Sequence, residues 1–267
     1  ALYISFVSDT RIRNAKFINL TANKTAGAIL IKSGGNTVIE NCEFINTTSS
    51  KNAGAIFADV LYDSNLGAVT IIDTVFRDTS SEFGGAFLQL SGNLSLNNTK
   101  FINSHATYNG GSVYLSGVTG LINNCTFDSN GVDVIEGYPT YGGAILLDMG
   151  TYNISGSKFF NNNASAGSAV YAYDSAYTIT NSIFENNTNP IYTFFDKQSI
   201  IDETNIFIND NNISTNNTLF TTIIIGEGMQ LTLINNTINV TTLPARFDLR
   251  DWGWTSSVKA QGWMGSC

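Results

Sequence analysis

A short phrase recurs along this chain. It reads KFIN at Phe17, EFIN at Phe44, VFRD at Phe76, KFIN at Phe101, TFDS at Phe127, KFFN at Phe159 and IFEN at Phe184. The phenylalanines lie 27, 32, 25, 26, 32 and 25 residues apart. A second phrase follows each of the first six: AGAI at Gly27, AGAI at Gly54, GGAF at Gly85, GGSV at Gly111, GGAI at Gly143 and AGSA at Gly167. A weaker copy, IFIN at Phe207, lacks the glycine phrase. A unit this short cannot bury its own apolar face, so such repeats must stack on one another.

The columns around each phenylalanine say how. Two residues before it stand Ala15, Cys42, Thr74, Thr99, Cys125, Ser157 and Ser182, all small. Phenylalanine alternating with small residues fits a strand with one inward face. Three before it stand Asn14, Asn41, Asp73, Asn98, Asn124, Gly156 and Asn181; two after it stand Asn19, Asn46, Asp78, Asn103, Ser129, Asn161 and Asn186. These columns predict corners, because Asn tolerates the left-handed backbone region and bonds its own main chain. Stacked coils also let identical amides form ladders.

A period of this length is too short for four-stranded propeller blades, and helix signals are almost absent. The expectation is an all-β chain: a right-handed parallel β-helix with about three short strands per coil and roughly 4.8 Å between coils. The glycine phrase then marks a close approach of backbones. The two longer repeats carry loop insertions at VLYDSN (60–65) and GVDVIEGYPT (131–140). The apolar stretches within 223–240 finish the stack. Together the two recurring phrases resemble the polymorphic outer-membrane protein repeat, with its GGA[ILV] and FxxN signatures. The asparagine mostly sits two after Phe here, although Asn130, Asn162 and Asn187 hold the third position. That resemblance spans roughly residues 11–190 and implies an adhesin-like region at the cell surface or outside the cell.

Composition narrows the partners. Hydrophobic residues make up 43% of the chain, enough for a core, while only 13% are charged and the net charge is −8. Nucleic acid is excluded as a partner, since phosphates demand Lys and Arg. No apolar run reaches about 18 residues, so no transmembrane segment is read. The opening ALYISFVSDTRIRNAKFIN lacks a basic stretch followed by an apolar one, so it is not read as a signal peptide. It begins within strand-like sequence and reads as cut from something longer.

At LPARFDLRDWGWTSSVKAQGWMGSC (243–267) the rhythm stops and charges return. LPARFDLRDWG, SSVKAQG and GSC, in that order and spacing, resemble the start of the mature domain of papain-family cysteine peptidases. The resemblance implies that Cys267 is the nucleophile and Gln261, six residues earlier, the side-chain donor of the oxyanion hole. It implies protein or peptide substrates and no cofactor or metal. Met264 stands where the family usually has a disulfide-bonded cysteine. The family's catalytic His and Asn follow some 130–150 residues later, so this stretch alone is expected to be inactive. Residues 1–240 are thus read as the β-helix, and 241–267 as the truncated start of a papain-like α+β domain.

Smaller features complete the reading. Cys42 and Cys125 share a column three coils apart, about 14 Å by coil spacing and beyond disulfide reach, so both are expected to be buried free thiols. His105, the single histidine, is expected at a surface or corner with no nucleophile or carboxylate beside it. Asp59, Asp148 and Asp174 each follow a glycine phrase and are candidates for a carbohydrate-active groove. Tyr138 and Tyr141 in GYPTYGG are candidate ligand-binding aromatics, for surface glycans or host proteins, and corner packing suits them equally. Three functions compete: a surface or secreted cysteine endopeptidase carrying a β-helix, a non-enzymatic adhesin or stalk, and a carbohydrate-active β-helix.

Overall fold

A computed structural model describes residues 2–5, 9–32, 35–60, 67–133 and 138–210, and the backbone of the strands Thr221–Ile225, Met229–Ile234 and Thr237–Val240. Among these residues the regular elements are all β-strands, and there is no helix to cross a membrane. The strands stack in parallel rungs, the arrangement of a parallel β-solenoid.

Each coil adds one strand to each of three long sheets. The glycine sheet follows the glycine phrases and has eight strands, from Leu2–Ser5 to Ile191–Phe194. The middle sheet has eight, from Asp9–Arg13 to Gln198–Ile201. The phenylalanine sheet begins at Lys16–Ile18 and runs to eleven strands. A fourth, short sheet of five strands lies between the phenylalanine strands and the next glycine phrases in the earlier coils; Ser80–Phe83 and His105–Asn109 belong to it. Three strands per coil was therefore an undercount there.

Register follows the phrases. Phe17, Phe44, Phe76 and Phe101 pair in turn, then Phe127, Phe159, Phe184 and Phe207. Their rings form a continuous stack, centroids 4.5–5.0 Å apart and planes within 8° of parallel. From Phe44 onward each ring is fully buried. A coil spacing near 4.8 Å falls within the range of offset aromatic stacking, so identical rings one coil apart support one another.

The asparagine columns are corners. The residues three before each phenylalanine have φ from 48° to 57°, and those two after it have φ from 51° to 58°. Asn side chains bridge coils there, as from Asn41 Nδ2 to Asn14 Oδ1 at 2.7 Å and from Asn46 Nδ2 to Asn19 Oδ1 at 2.8 Å. The third position after Phe plays a different part. Asn130, Asn162 and Asn187 are 1% exposed and form an internal ladder. The amide oxygen of Asn162 accepts both the main-chain N–H and the side-chain N–H of Asn130 at 3.0 Å, and Asn187 does the same for Asn162 at 3.1 and 3.0 Å. Asp210 ends this ladder by accepting from the Asn187 N–H.

The glycine column is steric. A Cβ on Gly27, Gly54, Gly85 or Gly111 would lie 1.9–2.1 Å from a carbonyl oxygen of the next coil. The sixth phrase is displaced by one residue from the sequence reading. Ile145 pairs with Val170, so Gly167 stacks on Gly142 and Ser168 on Gly143. The phrase is GSAV, not AGSA. At Ser168 the next coil presents Asn189 and Pro190 in place of another glycine phrase, and the Ser168 hydroxyl accepts the Asn189 N–H at 3.1 Å.

The longer repeats keep register across their insertions, as Ile39 with Ile71 and Phe127 with Phe159 show; residues 61–66 and 134–137 lie outside the described residues. At the far end Thr221–Ile225 continues the phenylalanine sheet in parallel, and Met229–Ile234 and Thr237–Val240 then add to it antiparallel. The change of direction ends the parallel pattern within the apolar stretches.

Candidate functional site

Residues 241–267, with Gln261 and Cys267, lie outside the described residues. The described part brings chemistry together elsewhere, on the outer face of the glycine sheet.

Strands of that sheet alternate inward and outward residues. In Ile145–Asp148 the inward residues are Ile145 and Leu147, both fully buried, and the outward ones are Leu146 and Asp148. Register builds two outward columns. One runs Leu88, Tyr114, Leu146, Tyr171, Tyr192; the other runs Leu90, Ser116, Asp148, Tyr173, Phe194. Tyr171 stacks on Tyr192 at 5.6 Å and 3°, and Tyr173 on Phe194 at 5.9 Å and 21°. Tyr141, from the corner before Gly142, packs against Tyr171 at 4.5 Å.

Between them is a cavity of about 370 Å³, lined by these aromatics with Leu146 and Asp148. A second cavity of about 360 Å³ adjoins it across Tyr141 and is lined by Tyr108, Asn109, Tyr138, Pro139 and Thr140. Tyr138 is 72% exposed. The two tyrosines singled out in GYPTYGG therefore divide the roles: Tyr138 faces solvent, and Tyr141 is the wall between the cavities.

Asp148 is the one charged residue of the first cavity. Its Oδ2 accepts from Ser116 Oγ at 2.9 Å and from the Tyr114 hydroxyl at 3.4 Å. Burial pushes the Tyr114 phenol up to about 12, helped by the adjacent Asp148 charge, and burial likewise pushes Tyr171 up to about 12. Both phenols are therefore neutral donors at physiological pH.

Asp59 and Asp148 do share a column, but three rungs apart, about 14 Å at the coil spacing. Glycoside-hydrolysing carboxylate pairs stand at roughly 5–9.5 Å. Asp59 faces Lys32 at 3.8 Å, and Asp174 sits at a left-handed corner bound to Lys197 at 3.0 Å. Asp59 therefore stands apart from Asp148, and Asp174 is not among the residues that line the cavity of Asp148.

His105 corrects a second expectation, since a carboxylate does stand beside it. It lies on a strand of the short sheet, with Nε2 2.6 Å from Asp133 Oδ1 and both side chains about half exposed. Ser80 is its ladder neighbour on the other side, but the ring bonds toward Asp133. A base must touch its nucleophile, so this trio makes no catalytic site. Cys42 and Cys125 are buried free thiols, and burial pushes Cys125 up to about 12. Among the described residues no cluster of His, Cys, Asp and Glu is arranged to hold a metal.

The residues that sequence reasoning missed are Tyr114, Tyr171, Tyr173, Tyr192 and Phe194. A signal existed. Counted from the glycine phrase, the outward positions of successive strands read Tyr-Ser, Leu-Asp, Tyr-Tyr and Tyr-Phe. The one-residue displacement at Gly167 hid it. No family model matches the chain, and comparison with curated proteins and with solved structures finds no match.

Proposed function

We propose that this chain is the adhesin-like, right-handed β-helical region of a surface or secreted papain-like cysteine endopeptidase, joined to the beginning of its catalytic domain. The observation that carries this reading is the run LPARFDLRDWG, SSVKAQG, GSC at 243–267. Three phrases stand in family order, and a cysteine six residues after a glutamine supplies two of the groups the chemistry needs, a nucleophile and an oxyanion donor. The Cys267 thiolate attacks a peptide carbonyl, the Gln261 amide donates to the developing oxyanion, the amine leaves, and water releases the acyl group as a carboxylic acid. The general base is assigned to a histidine beyond residue 267, because His105 is engaged with Asp133 on the solenoid. The solenoid acts as a rigid arm whose outer face meets protein targets or surface glycans.

The test has two steps. The intact mass of the protein from its source cells is expected at least ~20 kDa above the 28.8 kDa of this chain, room for a complete catalytic domain. Cys267→Ala is then expected to abolish peptide hydrolysis by that protein. Hydrolysis that survives the substitution sinks the reading. A native mass near 28.8 kDa moves the function to the second reading, a non-enzymatic adhesin or stalk, which the recurring glycine and phenylalanine phrases favour.

A further inference from the structure

We propose that the recess around Asp148 binds a cationic side chain, an arginine guanidinium or a lysine ammonium, presented by a partner polypeptide. This goes beyond the peptidase reading, since it concerns the solenoid alone and does not depend on Cys267.

The recess is a break in two ladders. In one outward column Leu146 stands between Tyr114 and Tyr171; in the other Asp148 stands between Ser116 and Tyr173. The aliphatic side chain leaves two rungs, about 9.6 Å, between the flanking tyrosines, and Leu146 floors the gap. Tyr173 stacks on Phe194 with one face, so its other face turns toward the rung of Asp148. A group entering here meets an aromatic face and a carboxylate together.

That pair of features selects a cation. Ammonium and guanidinium groups are held by aromatic faces through the ring quadrupole and by carboxylates through charge-assisted hydrogen bonds. Both hydrogen bonds to Asp148 fall on Oδ2, and among the described residues none reaches Oδ1. The other lining residues carry no formal charge, since the buried phenols stay protonated. Lys197, on the neighbouring corner, is already paired with Asp174. An anionic ligand would face the Asp148 carboxylate and a net charge of −8. A polypeptide suits the recess better than a free amine because a second cavity, lined by Tyr108 and Tyr138, adjoins it on the other side of Tyr141 and gives the residues beside the cation a surface to lie on.

The experiment is calorimetric titration of the 267-residue chain with a short glycine peptide containing two arginines, with the same peptide carrying uncharged citrulline in their place, and with a neutral β-linked oligosaccharide. The arginine peptide is expected to bind saturably, at least about tenfold more tightly than the citrulline peptide, and more weakly as salt rises. Asp148→Asn, which keeps shape and hydrogen bonding, is expected to remove at least about tenfold of that affinity; Tyr173→Leu weakens it independently, and Asp78→Asn, at a corner of the phenylalanine sheet, leaves it unchanged. Equal binding of the two peptides overturns the proposal, as does arginine-peptide binding that survives both Asp148→Asn and Tyr173→Leu. Binding of the oligosaccharide alone assigns the recess to glycan and also overturns it, and so does failure of every probe to bind.

Discussion

The phenylalanine sheet and the outer face of the glycine sheet are built from the same coils, yet they differ in kind. Along the phenylalanine sheet the inward position repeats its residue: Phe over Phe from Phe17 to Phe207, with corners that are mostly Asn or Asp on both sides. Each ring is covered by its copy, and from Phe44 onward none of them reaches the surface. On the glycine sheet the outward columns change residue from coil to coil, from Tyr114 to Leu146 to Tyr171 and from Ser116 to Asp148 to Tyr173. Each change of size opens space, and each change of polarity gives that space chemistry. In a solenoid of this kind, repetition makes stability and its interruption makes a site.

The contrast breaks most sharply at the backbone. Gly111→Ala places a Cβ 1.9 Å from the Gly143 carbonyl oxygen and is expected to cost more than about 4 kcal/mol, seen as a large fall in the unfolding midpoint. Gly117→Ala meets nothing nearer than 3.4 Å and carries only the strain of its φ of +65°, about 1 kcal/mol. Equal losses at the two sites would mean that close approach is not what holds the coils in place.

Within the core, Phe101→Ala interrupts the ring stack at a fully buried position and is expected to cost about 3–5 kcal/mol. Tyr138→Ala, at a position 72% exposed, should change stability by less than about 0.5 kcal/mol in the same denaturant titration. A smaller step separates the two asparagine columns. Asn162→Ala leaves the Asn130 main-chain and side-chain donors without their acceptor and is expected to cost about 1–3 kcal/mol. At the adjacent exposed corner, Asn161→Asp keeps a residue suited to its φ of 54° but trades its amide donor to Asp128 for a like charge, and is expected to cost less than about 1 kcal/mol.

The end of the buried ladder sets a pH dependence. Burial raises the Asp210 carboxyl from its usual acidic value to about 7. The folded chain therefore holds this proton more tightly than the unfolded chain does. The contribution to stability is complete below the unfolded value near 3.8, falls as pH rises toward 7, and is flat above it. Asp210→Asn is expected to remove that slope and to stabilise the fold at neutral pH, as unfolding curves at pH 4.5 and 8 would show. The smallest effect is chemical: native Cys42 and Cys125 are expected to resist iodoacetamide, because burial blocks access to both and holds Cys125 as a thiol, whereas both react once the chain is unfolded.

Much of this architecture was legible in the residues. The Phe columns marked the ring stack, and the Asn columns marked the left-handed corners, because an αL corner favours Asn, Asp or Gly, although Ala26, Ala53 and Met149 also stand at positive φ here. Asn130, Asn162 and Asn187 stood out at the third position, but only their burial separated them from the exposed Asn161 and Asn186 columns. The fourth strand was missed because pieces such as Thr21–Ala22 and Thr48–Ser49 are too short to carry a period. The carboxylate beside His105 was missed because Asp133 lies 28 residues away, after a whole coil.

By itself, then, the sequence determined the coil: which residue stands on its own copy, where the chain turns, and where the glycines must let backbones touch. Those are one-dimensional constraints, since a ladder asks only that like residues recur once per turn. Only the tertiary structure decided the cleft. Asp148 meets Ser116 from 32 residues away and Tyr141 meets Tyr171 from 30, across coils of unequal length and a phrase displaced by one residue at Gly167. No fixed offset in the sequence links such residues; the stacking of the rungs brings them together.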